Sequence, residues 1–557
     1  MKRAIAALSI LPALALAASH ASPTSALSVA EVDPIFAAWD RADSAGMAVT
    51  VIERGAIVFS KGYGSAQLEH KIPITDRTVF HSASVSKQFT AMAILLLEQE
   101  GKVSLDAQVS QYLDWAPRAT QPITVRQLIA HTSGLRDVTD LLKLAGWHDG
   151  DLVTQEQVRY LVSRQRELNF VPGSRHEYTN TGYFLLAEIV AAVSGQSLRE
   201  FAEQRIFKPL GMRDTHFHDD PTMIVSNRAY SYETGVDGRV RDALLNYSTV
   251  GSTGLLTTSR DLALWLDNFR TARVGGQAVV DKMQQTGVLN DGSSIDYAFG
   301  ITVGEFLGRK VLWHGGLDAG FRSIVLWFPE SETGLVLLSN LADVVPATQI
   351  GQLAGLLFPP VPGAAAKSAP SSVGVQPTRS AYAAFTGDYL TDMGSPIRIK
   401  SEPGSLAMLF QGRWHELVPI GPGEFVAVAA NVQLKFPAAG SSDDAQFIYV
   451  GHPLRARRVE RIKPPPASVL ASRTGVYFSP EIDTYYTVEI DRVTGQLALH
   501  GGRIGSLPLT YFDSDLFVSE YFQQIRFVSS RSGEPTAMRI CFGRMPDGIE
   551  FRRLKLR

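Results

Sequence analysis

The hydrophobic rhythm of the chain changes twice. From Met47, "MAVTVIERGAIVFSKGYG" forms two short strand-like runs about Arg54-Gly55, which predicts a hairpin. Longer apolar faces at helical spacing follow in "FTAMAILLLEQE", "ITVRQLIAHTSGL" and "TGYFLLAEIVAAVSG". The second of these opens on Thr124 with Gln127 three residues on, a capping box, and is expected to stop at Gly134. The third is expected to stop at Gly195. Strand patterns return in "RKVLWHGG", "GFRSIVLWFPE" and "TGLVLLSNLA". Strands at both ends of a region with helices between them predict an α+β domain over residues 29–357. Its antiparallel sheet is drawn from both termini and flanked by helices, with a helical insertion.

After Phe358 the helical pattern ends. "FPPVPGAAAKSAPSSVGVQPT", residues 358–378, has the Pro, Ala and Ser content of an extended connector. Short alternating segments follow, with an internal echo. "FTGDYLT" returns as "RTGVYFS", "EPGSLAMLFQGR" as "VTGQLALHGGR", and "GEFVA" as "DLFVS". The offset is about 90 residues each time, which predicts two copies of one small antiparallel β-barrel-like module. Their expected bounds are residues 379–462 and 467–557, joined through "KPPPAS".

The length of 557 residues fits about three or four domains. At 45% hydrophobic and 19% charged residues, sizeable cores are expected. Net charge is −2, which gives no sign of a nucleic-acid partner. The basic clusters "RARRVER" and "FRRLKLR" read as alternating charges on exposed strands. Residues 1–21 have the form of a secretory signal peptide. Lys2 and Arg3 precede an apolar run from Ala4 to Ala18, with a cut expected after Ala21. No later apolar run approaches the roughly 20 residues of a membrane span. The expectation is an exported protein, periplasmic or secreted. Its single cysteine, Cys541, allows no intramolecular disulfide.

Candidate chemistry begins at "HSASVSKQFT". On a helix, Ser84 and Lys87 lie about 60° apart on one face, whereas Ser82 and Ser86 lie off it. Ser84 is therefore the serine whose hydroxyl can meet the lysine amine. It is also expected near a helix start, where free N–H groups would stabilise an oxyanion. A lysine at the start of a buried helix loses hydration, and with it some basicity, and can act as a base. Two further segments could join them. "HEYTNTGY" places Tyr178 and Asn180 on a loop before a helix. "WHGGLDAG" places His314 near a strand end, with Gly315 and Gly316 leaving room for a substrate along the strand edge.

Together, Ser84-Val-Ser-Lys87, Tyr178-Thr-Asn180 and His314-Gly-Gly316 resemble the three motifs of the serine β-lactamase and penicillin-binding protein superfamily. "LIAHTSGL", "FKPLGMRDTHF" and "STGLLTTSRDLALWL" belong to the same resemblance, which covers about Asp33 to Ala342. The tyrosine motif is similar to the class C group. His314 departs from it, because class C enzymes carry lysine there to meet a substrate carboxylate. A histidine with two trailing β modules is similar to D-aminopeptidases.

The resemblance implies an acyl-enzyme on Ser84, with Lys87 or Tyr178 as base. The Ser84 and Leu317 N–H groups would form the oxyanion hole, Asn180 would orient Lys87 and a substrate amide, and His314 and Gly316 would help bind substrate. The implied substrates are small peptides, amides or esters, with D-aminopeptidase-like activity favoured. A β-lactamase or DD-carboxypeptidase is the alternative, and a penicillin-binding sensor without turnover is a further one. No cofactor or metal is implied, and a homodimer is open. "HFHDD", with His216, His218, Asp219 and Asp220, reads as a strand-to-loop segment. His131 reads as a helix C-terminal histidine satisfied by carbonyls. "HEYTN" and "HELVP" lack the second histidine of a zinc-protease motif.

Overall fold

A computed structural model describes residues 27–358 except 149 and 236, and residues 382–555 except 392–395, 403, 411–412, 428–431, 438–443, 450–451, 460–464, 514, 520, 523, 532 and 546. The expected signal peptide and nearly all of the 358–378 connector lie outside the described residues.

Six antiparallel strands form the central sheet: β1 (Met47–Glu53), β2 (Ala56–Tyr63), β3 (Thr302–Phe306), β4 (Arg309–Asp318), β5 (Phe321–Phe328) and β6 (Thr333–Ser339). Their order is β3-β4-β5-β6-β1-β2, so both ends of the region do build one sheet. The β1–β2 hairpin turns through Arg54 and Gly55 at φ 49° and 83°. Two left-handed residues suit the twist of paired strands.

Helices cover both faces of this sheet, which is why its inner strands read as nearly continuous apolar runs. On one face Val49, Val51, Leu335 and Leu337 pack against α1 (Val29–Phe36) and the last helix of the domain, Pro346–Leu357. On the other face Ala48, Val336 and Leu338 join a larger core with α2 (Ser86–Gln99), α3 (Asn180–Ser194) and α4 (Ser259–Thr271). Twelve of the 14 residues of α2 are buried, so its start is held firmly. No helix of the described residues is long and apolar enough to cross a membrane.

The helix from Thr124 keeps its capping box but stops at Ile129, five residues before the expected Gly134. His131, at φ 55°, takes the left-handed position beyond the C-cap. The Thr132 N–H then bonds the Gln127 carbonyl at 3.0 Å, and the His131 N–H bonds Leu128 at 3.4 Å. This Schellman pattern ends the helix without glycine. Gly195 ends α3 as expected, at φ 71°.

The first β module is a closed barrel of eight strands, from Gly387–Thr391 to His452–Val459, and its first strand pairs with its last. The second is a nine-stranded, nearly closed sheet. Its edges, Gly505–Pro508 and Thr510–Asp513, are consecutive in sequence. The duplication extends to detail. Tyr389 donates to the Phe385 carbonyl at 3.0 Å and Tyr477 to the Arg473 carbonyl at 2.8 Å. Gly387 and Gly475 have φ 148° and 146°, and each lies under an arginine, Arg458 or Arg553, that donates to the preceding threonine carbonyl. The two modules meet through Phe512, Leu516 and Val518 against Leu390 and Val459.

Candidate active site

Ser84 does not begin the long helix. Residues Ala83–Val85 form a 3₁₀ turn, and α2 starts at Ser86. The offset of three survives because residues i and i+3 eclipse in a 3₁₀ turn. Lys87 Nζ donates to Ser84 Oγ at 3.1 Å. Ala83 is left-handed at φ 48°, a conformation that costs an L-residue about 1–2 kcal/mol. The other two serines are structural. Ser82 Oγ donates to the Leu255 carbonyl, while Ser86 Oγ donates to the Ala83 carbonyl and accepts the Leu255 N–H.

The Lys87 side chain is fully buried. Its ammonium also donates to Asn180 Oδ1 at 2.8 Å and to the Ser252 carbonyl at 2.7 Å. Burial pulls its pKa down to about 7; Asp137 and Asp318 oppose that pull and Arg544 adds to it. Asn180 is the first residue of α3. Its N–H donates to Asp137 Oδ2 at 2.6 Å, and its side-chain NH₂ leans toward Asp137 Oδ1 at 3.5 Å. Asn180 thus holds Lys87 through Oδ1, and its NH₂ is turned toward Asp137.

Tyr178 lies with its ring centroid 4.7 Å from Lys87 Nζ. Its hydroxyl is buried and faces Ser84 without a closed hydrogen bond. Burial raises its pKa well above the ordinary phenol value, with Ser84 and Arg544 only partly opposing the rise. Behind it stands His131, ring to ring at 4.2 Å. The expectation for His131 needs correcting: its Nδ1 accepts the Thr179 N–H at 3.2 Å, and no carbonyl satisfies it. Burial holds this imidazole neutral, so its lone pair takes a donor.

His314 is buried on β4. Its Nδ1 lies 2.6 Å from the Gly315 carbonyl and its Nε2 lies 3.0 Å from the Tyr297 hydroxyl. Burial and the nearby Lys87 push its pKa down to about 3. β3 pairs with β4 only as far as Trp313, so residues 314–318 have no strand on that edge among the described residues. This free edge runs beside the serine turn. A Cβ on Gly316 would lie 2.3 Å from Ser323 Oγ, 2.5 Å from the Ser82 carbonyl oxygen and 3.0 Å from Ala83 Cβ. The glycine therefore permits close approach of strand and turn. The next residue, Leu317, is exposed.

Sequence reasoning missed Ser252, Asp137, Tyr297 and Arg544. Asp137 caps the short helix Val138–Leu144 through one oxygen and holds Asn180 through the other. Arg544, from the second β module, donates through Nη1 to the Tyr178 carbonyl at 2.6 Å and stands 3.8 Å from Asp137. Elsewhere, His216 and Phe217 form a short strand, Asp219 pairs with Arg199 and Asp220 bonds Thr222. Among the described residues no group of three or more His, Cys, Asp or Glu side chains is placed to hold a metal ion.

A D-aminopeptidase of Gluconobacter oxydans is 27% identical over 443 residues, 79% of this chain and 80% of its own length. Penicillin-binding protein 4* of Bacillus subtilis is 27% identical over 427 residues, 72% of this chain and 92% of its own. The crystal structure of a penicillin binding protein from Bacillus halodurans superposes with a TM-score of 0.51 at 25% identity, covering 58% of this chain and 98% of that one. The octameric penicillin-binding protein homologue from Pyrococcus abyssi shares the fold, with a TM-score of 0.52 at 21% identity over 83% of this chain and 95% of that one. The family model described as Beta-lactamase matches residues 35–354, more than half of the chain, and the chain belongs to that family.

Proposed function

We propose that the chain is an exported serine hydrolase that cleaves small peptides, amides or esters through an acyl-enzyme on Ser84, with D-aminopeptidase-like activity. The observation that carries this reading is the joined set of Ser84, Lys87 and Asn180, with a neutral His314 beside them. A lysine with a pKa of about 7 is available as a free amine near neutrality. Tyr178 keeps its proton, which favours Lys87 as the base.

In the proposed cycle the Ser84 Oγ–H proton passes to Lys87 Nζ as Oγ bonds the substrate carbonyl carbon. The oxyanion meets the Ser84 and Leu317 N–H groups; one such donor is typically worth about 2.7–4 kcal/mol. The bond to the leaving nitrogen or oxygen then breaks, and Lys87 returns its proton to that atom through the Tyr178 hydroxyl. Water attacks the ester by the same route in reverse and frees the acid and Ser84. Where the resemblance led to a lysine, the neutral His314 offers no cation to a substrate carboxylate. That disfavours β-lactams and C-terminal carboxylates and leaves the D-aminopeptidase-like reading.

A substrate screen with acyl-enzyme mass spectrometry tests this on wild type and Ser84→Ala. Turnover of D-alanine p-nitroanilide without β-lactam turnover is expected, with no adduct or turnover in the variant. Activity retained by Ser84→Ala would sink the assignment. A stoichiometric burst with no steady state would point to a penicillin-binding sensor. Export is tested separately: the secreted chain should begin at Ser22.

A further inference from the structure

We propose that Arg544, carried on a loop of the second β module, is a positioning residue of the catalytic centre, acting through Asp137 and Asn180 on Lys87. This rests on the serine-hydrolase reading above.

The loop is a departure from the repeat. In the first barrel Tyr449 pairs with His452, which leaves a two-residue connection. In the second module the last pair of the corresponding hairpin is Ile540–Ile549, and residues 541–548 project beyond it. From this connection Gly543 and Arg544 reach the catalytic domain. Gly543, at φ 58°, lies on Asp140 so closely that a Cβ there would be 2.3 Å from the carboxylate atoms. The Arg544 N–H donates to Asp140 Oδ2 at 2.9 Å, and its carbonyl accepts Asn169 Nδ2 at 2.8 Å. Its guanidinium reaches the Tyr178 carbonyl at 2.6 Å, Asp137 at 3.8 Å and Asp140 at 3.9 Å.

The docking around this loop is extensive. Arg136 is buried against Glu481, Glu167 joins Arg136 and Arg539 at 3.0 and 2.9 Å, and Tyr486 donates to the Leu144 carbonyl at 2.7 Å. The loop is thus set by the body of the module.

Asp137 and Asp140 are both buried carboxylates. Among the described residues Arg544 is the only cation within ion-pair distance of either. Inside the catalytic domain Asp137 accepts the Thr139 and Asn180 N–H groups and Asp140 feels Lys143 at longer range, so the ion-pair contact to these two buried carboxyls comes from Arg544. Asp137 matters because it grips the Asn180 N–H at 2.6 Å, and Asn180 grips Lys87 at 2.8 Å. The charged groups that act on Lys87 are Asp137, Asp318 and Arg544, while His131, His314, Tyr178 and Tyr183 around it are neutral. Removing Arg544 takes away a positive charge and leaves two negative ones, so Lys87 keeps its proton to higher pH.

The test uses full-length wild type, Arg544→Ala and Arg544→Lys. The rate of Ser84 labelling by a fluorophosphonate is followed by mass spectrometry between pH 5 and 10. Arg544→Ala should move the acid limb up by about one pH unit, a tenfold loss on the acid side. Guanidinium ion should move it back, and Arg544→Lys should keep the limb near its original place. Loss of packing alone would lower the rate equally at every pH; a limb that stays put in Arg544→Ala overturns the proposal. Should that variant fail to fold, Arg544→Ala with Asp140→Asn removes one of the two buried carboxyls and is read in the same way. Wild type unlabelled at Ser84 would sink the hydrolase reading itself, whereas labelled wild type with an unmoved limb in the variant sinks only the role of Arg544.

Discussion

The Tyr297 hydroxyl lies 3.0 Å from Nε2 of His314. On the other side of the ring, Nδ1 lies 2.6 Å from the Gly315 carbonyl. A carbonyl can only accept, so Nδ1 carries the hydrogen and Nε2 accepts from Tyr297. Both nitrogens are engaged, and a pKa of about 3 keeps the ring neutral. This pair decides which charge the site can offer at the third motif.

Restoring a cation there should restore carboxylate recognition. His314→Lys is expected to raise the rate of acylation by a penicillin about tenfold relative to an uncharged ester, in line with about 1.5–3 kcal/mol for a hydrogen bond to a charged group. The ratio of the two rates cancels any general loss of activity. An unchanged ratio would mean that His314 does not set this preference.

The pH dependence should follow Lys87. As a base it works when neutral, so kcat/KM should rise as pH increases through about 7. His314 cannot cause this limb, because it is already neutral above about 3. Tyr178 cannot cause it either, because its phenol keeps its proton to well above ordinary values. Tyr178→Phe should therefore lower the rate about 10²-fold or more while leaving the limb in place. Lys87→Arg, which cannot lose its proton, should be inactive at every pH. A limb that moves in Tyr178→Phe would point to the tyrosine as base.

Gly316→Ala should damage the site without touching a catalytic side chain. Its Cβ would strike the Ser82 carbonyl oxygen at 2.5 Å and Ser323 Oγ at 2.3 Å, and Ser323 Oγ itself donates to that carbonyl. Strand and turn must separate, and Leu317 moves with the strand. We expect a loss of stability of about 1–3 kcal/mol, typical of overpacking. The fall in kcat should exceed 10²-fold, the cost of one misplaced oxyanion donor. Thermal melting and ester hydrolysis read the two effects separately, and near-normal kcat would show that Leu317 is not such a donor.

The parts of this site that could be read in advance share a reason. Ser84 and Lys87 are three residues apart, and that offset brings side chains together whether the turn is α or 3₁₀. The sheet was legible because apolar runs at both ends of the domain have no other way to be covered. Ser252 contributes a carbonyl, which no residue type advertises. Tyr297 meets His314 only through the β3–β4 hairpin that lies between them. His131 looked like a helix end satisfied by carbonyls, because the neutrality of its ring, which lets it accept the Thr179 N–H, is a consequence of tertiary burial. Arg544 was within reach of sequence reasoning: aligning the two β copies exposes residues 541–548 as the place where the repeat lengthens.

Asp140 gives the docked loop a pH signature of its own. Burial, together with Asp137, raises its pKa to about 7, against the opposing effect of Arg544. The unfolded carboxyl titrates at about 3.9. Between these values the folded chain holds a proton that the unfolded chain has lost, so this group's contribution to stability declines as pH rises from about 4 to about 7 and then levels. Asp140→Asn removes the titration but keeps an oxygen to accept the Arg544 N–H. The variant should match wild type near pH 4 and be more stable above pH 7, by at most about 4 kcal/mol for a shift of roughly three units. Apparent melting midpoints across pH 4–9 check this. A gap between variant and wild type that does not change with pH would show that Asp140 does not titrate at the interface.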